Sequence, residues 1–451
     1  MPTGAAELIS RHLFYPLWDW KDRSCRLTHW RELERLQWLP PKELRERQWT
    51  ALISTLEYAA QHSPFYRDRF ARHGVRIDKL RGIEDLAQIP VTTKKDIRDN
   101  LPDFISDEYR SGTLARAKTG GSTGVALDLY FDDACQQRRN AAQLLADGWA
   151  GWKPGMLTAA VWGNPPVAST LKQKVRLHCL DRHIYLDTMA LNANSMGVFV
   201  DRWRKKQPKA IFGHSHSLYM FACFLHDEGI ADLRPQSIVA TSMMLLEPER
   251  AVIEKVFGCK VTNRYGCEEV GLIACECERH AGMHLNTLHL FVEAAGEGGQ
   301  PVEPGMPGKL LLTDFNNRGM PLVRYQVEDV GVISSRDCTC GRGMPMLERI
   351  EGRVADFLRA TDGTLVAGVS LVERTLTHIP GLAQMQLVQE STTTVEVNRV
   401  KALGHTPLAD ADLRRELQSV LGADMKVLIR DVPQIDQEKN GKYRFSICRI
   451  R

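Results

Sequence analysis

The chain has 451 residues, too many for one compact core, and we expect two or three domains. Its 43% hydrophobic and 25% charged residues are ordinary for a soluble globular protein. The net charge of +4 gives no reason to expect nucleic acid as the main partner, although it leaves room for a mildly basic site for an anionic ligand. No apolar run reaches the roughly 18–20 residues that a membrane helix needs, so we expect no membrane partner.

The cysteines bear on the compartment and on metal content. His and Arg interrupt the first apolar stretch early, in MPTGAAELISRHLFYPLWDWKDR, so this start is unlike a signal peptide and we expect a cytoplasmic protein. The eleven cysteines are then expected to be reduced thiols. Where such thiols cluster, they favour a bound metal over disulfides.

Residues 1–75 are predicted to be helical. The stretch LRERQWTALISTLEYAAQHSPFYRDRFARHG places apolar residues at helical spacing and ends at Gly74. We interpret this region as a helical layer that packs on the rest of the protein.

From Thr113 onward, short apolar runs alternate with helical patterns. TLARAKTGGSTGVALDLYFD predicts a strand, a Gly-rich turn and a second strand, and DACQQRRNAAQLLADGWAGW predicts a helix. MLTAAVWGN, PKAIFGH and SIVATSM predict buried strands with helices between them, and EPERAVIEKVFG predicts a helix that ends at Gly258. This alternation favours an α/β fold with a substantial parallel sheet.

Two changes of composition suggest the domain organisation. Residues 283–335 are rich in strands separated by Gly and Pro, which predicts a β-subdomain. After IEGRVADF the pattern resets to a compact α+β module. We therefore expect a large N-terminal domain over 1–352 and a small C-terminal domain over 353–451.

A Gly-rich loop is the first candidate for chemistry, and it consists of Thr119, Gly120, Gly121, Ser122, Thr123 and Gly124. Glycine lets the backbone turn tightly, so that successive N–H groups point at one anion, while the hydroxyls and the neighbouring Lys118 add donors and charge. The loop is not a Walker A motif, because no Gly-Lys-Ser/Thr follows its last glycine. A plain hairpin turn is the alternative.

Two further motifs place acidic residues after predicted strands. In YGCEEVG, at 265–271, the tyrosine ring can stack on a base and a carboxylate can hold Mg²⁺ beside phosphates; a solvated loop is the alternative. In RYQVED, at 324–329, a carboxylate can accept hydrogen bonds from both hydroxyls of a ribose; a surface aspartate is the alternative.

Two later segments combine glycine with charge. IEGRVAD, at 350–356, suits a hinge between domains. In EKNGKYR, at 438–444, a lysine on a Gly turn can reach a phosphate as a mobile point charge. For a lone lysine, a solvated tail is the alternative.

The order of these motifs is specific, although each alone is modest. A Gly/Ser/Thr loop, YGxxE, RYxxxD, GRxxD and a final GK form the motif series of the ANL adenylate-forming superfamily. From about residue 40 to the end, the sequence resembles the phenylacetate–CoA ligase branch of that superfamily, and most of all its divergent members called CapK-like or coenzyme F390 synthetase-like.

The resemblance implies roles for single residues of the N-terminal domain. The loop at 119–124 would cradle the phosphates of ATP, and Tyr265 would flank the adenine. Glu269 would hold Mg²⁺, and Asp329 would bind the ribose hydroxyls. The other nucleotide-binding residues that the resemblance implies are Ser242, Gly266, Arg324 and Arg353.

The resemblance also implies that the C-terminal domain is a mobile lid. Lys442 would be its catalytic lysine, and Asp356 would be the hinge about which it turns. Two departures from the branch stand out. The loop reads TGGSTG in place of the commoner SSGTTG, and Ala355 replaces a carboxylate in the usual GRxDD hinge.

A metal site is predicted separately. Two clusters of potential ligands flank the strand-rich stretch and are able to close one tetrahedral zinc site: Cys275, Cys277, His280 and His284 before it, Cys338 and Cys340 after it. The branch has a Cys, a Gly-x-His and a Cys-x-Cys-Gly-Arg, and this match favours Cys277, His284, Cys338 and Cys340. His280 rivals His284, and Cys275 is a further rival. Thiols that simply pack are the alternative to a structural zinc.

The acid pocket is expected where three predicted strands end, at 161–164, 213–218 and 241–245. Its candidate residues include apolar side chains and histidines. Trp162, Met243 and Met244 would form apolar walls, and His214 or His216 would meet the carboxylate. For each histidine, a structural or exposed position is the alternative.

The function that the resemblance implies is an ATP- and Mg²⁺-dependent ligase that activates a small carboxylic acid as an acyl-AMP and releases pyrophosphate. The acyl group would pass to coenzyme A, with an amine or a hydroxyl as the alternative acceptor. A nucleotide-binding scaffold without turnover is the non-catalytic alternative, and the joint presence of Glu269, Asp329 and Lys442 argues against it. The oligomeric state is left open, with a homodimer as one candidate.

Overall fold

The structure is a computed structural model, and every statement about it concerns the residues it describes. These are 3–109, 111–118, 127–162, 168–188, 191–353, 357–363, 365–368, 371–372, 375–376, 379, 381–401, 406–435 and 444–450.

Helices occupy the N-terminal part and the connections between strands. The α-helices are α1 (Thr3–Ile9), α2 (Tyr15–Lys21), α3 (Arg26–Leu36), α4 (Pro41–His62), α5 (Pro64–Arg72), α6 (Lys94–Asp99), α7 (Leu101–Phe104), α8 (Asp133–Trp149), α9 (Leu171–Arg176), α10 (Ala193–Lys206), α11 (Ser215–Asp227), α12 (Glu247–Phe257) and α13 (Pro407–Leu421). Short π-helical turns cover Ser10–Phe14 and Leu177–Asp181, and 3₁₀ turns cover Ile77–Lys79, Ile83–Gln88 and Ser111–Thr113.

The strands follow the helical N-terminal layer. They are β1 (Ala115–Lys118), β2 (Asp128–Phe131), β3 (Thr158–Val161), β4 (His183–Leu186), β5 (Ala210–His214), β6 (Ser237–Thr241), β7 (Val261–Cys267), β8 (Gly271–Glu276), β9 (Met283–Leu285), β10 (Leu290–Ala295), β11 (Pro307–Asp314), β12 (Tyr325–Ile333), β13 (Met346–Arg353), β14 (Phe357–Arg359), β15 (Leu365–Ala367), β16 (Leu382–Ser391), β17 (Thr394–Lys401), β18 (Lys426–Asp431) and β19 (Ser446–Cys448).

Among the described residues, eleven strands form one sheet in the order β10-β11-β12-β13-β9-β8-β7-β6-β5-β3-β4. The pairs from β4 to β7 are parallel, and the pairs from β7 to β10 are antiparallel. Every residue of β3 and β6 is buried, as expected for parallel strands with both faces covered. The predicted α/β fold with a substantial parallel sheet is therefore confirmed.

The strand-rich stretch at 283–335 continues this sheet. Strand β9 pairs with β8 on one side and with β13 on the other, and β12, β11 and β10 follow in order. The change from alternating helices and strands to strands alone therefore marks the antiparallel half of one sheet.

The N-terminal helices pack on the antiparallel half, as the helical spacing predicts. Leu52 and Leu56 of α4 and Tyr66 of α5 are almost fully buried in a cluster that also contains residues of β8, β10, β11 and β12. Each apolar side chain of this kind contributes about 1.5–3 kcal/mol by burial. Helix α12 ends as predicted, with Gly258 in the left-handed region at φ 74°.

The C-terminal domain contains a second, four-stranded sheet in the order β18-β17-β16-β19. Helix α13 buries Leu413, Leu417 and Leu421 in its core. Leu246, from the loop before α12, is 1% exposed within the same cluster, so the N-terminal part contributes to this core. Strand β13 ends at Arg353, next to the predicted boundary, and residues 354–356 lie outside the described residues. The boundary itself stays a prediction. No helix among the described residues has the length and apolar character to cross a membrane.

A buried ion pair joins the edge strand β10 to the start of β12. Arg324 is 1% exposed, and its guanidinium donates to both carboxylate oxygens of Glu293 at 2.9–3.1 Å. Its remaining donors go to the carbonyl oxygens of Ile89 (2.5 Å) and Gly299 (2.6 Å). Every nitrogen of this guanidinium is thus engaged inside the core, and the nucleotide contact that the resemblance implies for Arg324 stays a prediction.

Replacing Arg324 by Ala should lower the free energy of unfolding by about 3–5 kcal/mol, because it leaves the Glu293 carboxylate buried without its cation. Denaturant unfolding measures this loss. The double variant Arg324→Met/Glu293→Leu should regain part of the stability, since it removes both charges. An Arg324→Ala protein that keeps its stability but loses ATP affinity would contradict the structural role.

Candidate functional site

The carboxyl ends of the parallel strands meet at one edge of the sheet. Val161 ends β3, His214 ends β5 and Thr241 ends β6, while Tyr265 lies near the end of β7. Ligands of open α/β sheets bind in the crevice outside these carboxyl ends. The predicted acid pocket and the predicted adenine site therefore lie along one edge.

Two tyrosines hold the two carboxylates to which the sequence assigns nucleotide chemistry. The hydroxyl of Tyr265 donates to Oδ2 of Asp329 at 2.5 Å, and the hydroxyl of Tyr325 donates to Oε1 of Glu269 at 2.8 Å. Asp329 and Glu269 are 7% and 4% exposed. The motifs YGCEEVG and RYQVED, far apart in sequence, are thus brought into direct contact twice.

Tyr325 has a role that sequence reasoning missed. Burial, followed by the charge of Glu269, raises the pKa of Tyr325 far above its ordinary value. Its hydroxyl therefore keeps its proton and orients the carboxylate. The sequence signal that could have identified Tyr325 is its position at the start of β12, the strand that also contains Asp329.

The hairpin from β7 to β8 fixes the place of Glu269. A Cβ at Gly266 would overlap the carbonyl oxygen of Gly271 across the hairpin, so only glycine fits there. Arg139 of α8 donates to the carbonyl of Glu268 at 2.6 Å and holds the turn from outside. Gly266 thus shapes the predicted nucleotide site by allowing this close approach.

Ser242 follows β6 with a left-handed backbone, at φ 66°. This conformation is uncommon for a residue with a side chain and is typical of functional sites. The preceding Thr241 donates its hydroxyl to the carbonyl of Arg264 at 2.7 Å, which fixes the strand end to β7.

Trp162 and His214 face each other at the expected acid pocket. Their ring centroids are 4.0 Å apart, and Phe212 stacks on the other side of Trp162 at 4.9 Å. His214 is 5% exposed. The structure thus brings together one apolar and one polar member of the predicted pocket.

His216 and the two methionines have partners that the sequence did not indicate. His216 Nδ1 lies 2.5 Å from Oε1 of Glu249, and its Nε2 lies 3.2 Å from Nε2 of Gln384 in the C-terminal domain. Met243 and Met244, expected as walls of the acid pocket, pack against the core of that domain. In this arrangement they support the C-terminal domain, and their part in the acid pocket stays a prediction.

Several of the predicted site residues lie outside the residues that the structure describes. The loop at 119–124, the hinge residue Asp356 and the lysine Lys442 fall among residues that the structure does not describe, and for Arg353 only the backbone is described, at the end of β13. Strands β1 and β2, on either side of the loop, pair antiparallel, with Lys118 opposite Asp128. The loop therefore connects two paired strands, as the sequence predicts.

Four side chains that are able to hold a metal ion gather at the other end of β8. They are Cys277, His284, Cys338 and Cys340, and their ligand atoms all lie within 4.8 Å of one another. The Sγ atoms of Cys277 and Cys338 are 3.7 Å apart, and Sγ of Cys340 lies 3.2 Å from Nε2 of His284.

The surroundings of these four residues suit metal ligation. Nδ1 of His284 lies 3.0 Å from the carbonyl of Met344, which directs Nε2 toward the cysteines. Backbone N–H groups of Arg279 and Arg342 point at Sγ of Cys277 and Cys340, both at 3.4 Å. Burial lowers the pKa of His284, so its imidazole is neutral, as a ligand must be.

The rival ligands lie elsewhere. Nδ1 of His280 lies 3.2 Å from Oε2 of Glu276, and Cys275 is buried with its thiol toward the carbonyls of Ala146 and Glu276. Neither joins the four-residue cluster. Between His284 and His280, the geometry favours His284.

Known proteins are similar to this chain in sequence and in fold. Residues 358–449 match the model of the CapK C-terminal domain. The chain is 26% identical to a phenylacetate–coenzyme A ligase of Thermus thermophilus, covering 91% of this chain and 97% of the relative, and 24% identical to protein CapK of Staphylococcus aureus, covering 87% of each.

A similar fold occurs in a 2-hydroxyisobutyryl-CoA ligase, which is 18% identical. In the post-adenylation state with 2-HIB-AMP, its structure covers 92% of this chain and 91% of its own with a TM-score of 0.76. In the thioesterification state the TM-score is 0.62, with 92% of each chain covered. Over most of its length, the chain is therefore similar to the phenylacetate–CoA ligases and CapK, and its fold is that of an adenylate-forming CoA ligase.

Proposed function

We propose that the protein is an ATP-dependent ligase that converts a carboxylic acid to an acyl-AMP and then transfers the acyl group to coenzyme A. The observation that carries this proposal is the double contact of Tyr265 with Asp329 and of Tyr325 with Glu269 at the carboxyl ends of the strands. The same fold in a ligase bound to an acyl-AMP, and relatives named as CoA ligases, support the reaction class.

The nucleotide would lie across the β7–β8 hairpin. The ring of Tyr265 would flank the adenine, and Asp329 would accept hydrogen bonds from the ribose hydroxyls. The loop at 119–124 would direct its N–H groups and hydroxyls at the phosphates. Glu269, oriented by Tyr325, would hold Mg²⁺ near them.

In the first half-reaction, a carboxylate oxygen of the substrate attacks the α-phosphorus of ATP. A new O–P bond forms, and the bond between the α-phosphorus and the bridging oxygen breaks to release pyrophosphate. The protein need supply no nucleophile, because positioning and charge stabilisation are sufficient. Lys442 would stabilise the negative charge that develops on the phosphate oxygens.

The acid would enter beside Trp162 and His214, whose rings lie 4.0 Å apart. The indole offers an apolar face, and the imidazole offers a polar atom for the carboxylate. Both side chains lie at the ends of neighbouring strands, so the pocket opens on the same edge as the nucleotide site.

Coenzyme A is the acceptor that the relatives favour. In the second half-reaction its thiol sulfur would attack the acyl carbon, and AMP would leave with the electrons of the C–O bond. The phenylacetate–CoA ligase covers nearly the whole chain, which supports a thiol acceptor over an amine or a hydroxyl. Pyrophosphate release with ATP and a panel of acids tests adenylation, and repeating it with CoA or amines tests the acceptor.

We also propose that the four-residue cluster holds a structural zinc ion. A tetrahedron of thiolates about 2.3 Å from zinc has edges of roughly 3.8 Å, close to the 3.7 Å between the sulfurs of Cys277 and Cys338. Burial, and then the neighbouring Cys340 and Cys338, raise the pKa of Cys277 to about 12. A thiolate at Cys277 therefore needs a neighbouring cation to stabilise its charge. Three sulfurs and one imidazole favour zinc and leave no open position. A reducing cytoplasm would keep these thiols available.

Protein purified without chelator or a His-tag column should contain about one zinc ion per chain. Elemental analysis measures this. Replacing Cys338 and Cys340 by Ser should remove the metal and lower the thermal stability. The matched pair His284→Asn and His280→Asn separates the rivals, since only the first should lose zinc. A zinc content near zero in folded protein with titratable thiols would leave packed cysteines as the better interpretation.

Replacing Asp329 by Ala should weaken ATP binding by about 2–3 kcal/mol, because it removes a charged acceptor from two ribose hydroxyls. Calorimetry measures the affinity. Glu328→Ala is the matched control, because this neighbouring carboxylate pairs with Lys94 at 2.7 Å and has no proposed contact with the nucleotide. Equal ATP affinity of the Asp329 variant and the wild type would reject the ribose role.

Replacing Lys442 by Ala should abolish acyl-AMP formation but spare transfer from a presynthesised acyl-AMP, because the C-terminal domain would present different faces in the two steps. Lys439→Ala, in the same segment, is the control and should retain both activities. Pyrophosphate release and thioester formation are measured separately. A Lys442 variant that forms acyl-AMP at the parent rate would show that this lysine has no part in adenylation.

A further inference from the structure

A single glutamine of the C-terminal domain contacts the acid site. Gln384 lies on β16 and is 8% exposed. Its Nε2 lies 3.2 Å from Nε2 of His216 and 3.1 Å from Sδ of Met220, both on α11. A buried polar side chain of one domain thus reaches a buried histidine of the other.

The contact defines the state of His216. The Gln384 amide nitrogen only donates, so Nε2 of His216 accepts and its Nδ1–H donates to Glu249 at 2.5 Å. His216 and Glu249 are 2% and 5% exposed, so few other orientations are open to the ring. Phe445 of the C-terminal domain also lies edge-on to this ring, with centroids 6.0 Å apart.

The same glutamine holds one end of the segment that contains Lys442. Its Oε1 accepts from the backbone N–H of Ile435 at 3.4 Å, and Ile435 directly precedes residues 436–443. At the other end of that segment, Gln386 donates to the carbonyl of Arg444 at 2.6 Å, and the N–H of Leu387 donates to the carbonyl of Phe445 at 2.8 Å. Strand β16 therefore anchors both ends, and its Gln384 also contacts His216.

We propose that Gln384 is a positioning residue that couples docking of the C-terminal domain on the acid site to placement of the Lys442 segment for adenylation. This inference rests on the proposed function. The chain superposes better on a ligase in the post-adenylation state than on the same ligase in the thioesterification state, with TM-scores of 0.76 and 0.62. The contact thus occurs in an arrangement more similar to the one in which that ligase holds an acyl-AMP before coenzyme A is bound.

The contact cannot persist when the domain turns. Gln384 and His216 lie on opposite sides of the proposed hinge at 356, so rotation about it separates them. Gln384 should therefore serve the first half-reaction and have no part in the second. A residue with a merely structural role would slow both half-reactions or lower stability alone.

The kinetic test compares Gln384→Leu with Gln386→Leu, which loosens the far end of the lysine segment and leaves the contact with His216 in place. Gln384→Leu should slow acid-dependent pyrophosphate release five- to tenfold, roughly the loss of one buried hydrogen bond, and change transfer from supplied acyl-AMP less than twofold. His216→Asn keeps a donor near Glu249 but removes Nε2. In that background, Gln384→Leu should slow adenylation less than it does in the wild type, because the contact with His216 is already lost, whereas in the Gln386→Leu background it should retain its cost. Additive losses from Gln384→Leu and His216→Asn, or equal slowing of both half-reactions, would overturn the coupling.

Amide hydrogen exchange provides a second test, which does not depend on enzymatic activity. Gln384→Leu should raise amide exchange at Ile435 and at the start of α11, while Gln386→Leu should leave α11 unchanged. Unchanged exchange in α11 of the Gln384 variant would overturn the contact. If the wild-type chain forms no acyl-AMP with any acid, the proposed function fails, and the exchange result still decides whether the two domains are linked through Gln384.

Discussion

The turn from β7 into β8 is the constraint on which both candidate sites depend. At this point the sheet changes from parallel to antiparallel pairing. The parallel side delivers strand ends to one edge, while the antiparallel side sends β8 back across the sheet to Cys277. Gly266 permits the tight approach of β7 and β8, since any Cβ there would overlap the opposite backbone. One hairpin therefore sets the place of Tyr265 and Glu269 at its turn and of the first cysteine at its far end.

This geometry separates the metal from the chemistry. Cys277 lies six positions after Gly271, and an extended strand of that length spans about 20 Å. An ion held by Cys277 would be too remote to touch a phosphate bound near Glu269. It would instead join the end of β8 to β9 and to the loop before β13, where short strands offer few hydrogen bonds of their own. The role that follows is to stabilise the antiparallel half of the sheet.

Much of this arrangement follows from local patterns in the sequence. Alternating strands and helices predict the parallel sheet, and the two clusters of cysteines and histidines predict a metal site. The resemblance to the branch, and not the spacing, favours the four residues that the structure gathers. Local patterns could not reveal that 283–335 continues the same sheet, because pairing of β9 with β8 and β13 depends on distant segments. They also could not show that Arg324 pairs with Glu293. The sequence of a motif is the same whether its arginine binds a ligand or a buried carboxylate. Tyr325 and Gln384 were missed for the same reason: each acts through a partner more than fifty residues away.

The contact between the domains combines two kinds of interaction with different consequences for motion. Met243, Met244 and Leu246 pack against the C-terminal core, and burial of such side chains favours the docked arrangement by a few kcal/mol. That attraction depends little on orientation, so alone it would hold the domain without specifying its angle. The hydrogen bond from Gln384 to His216 crosses between the two parts of the chain and is directional, so it breaks when the angle changes. A domain that turns between two half-reactions can thus keep part of its apolar contact while the polar contacts distinguish one arrangement from the other. A ligand shifts such an equilibrium only through contacts that differ between the two states, and the acid site beside His216 is where that difference lies.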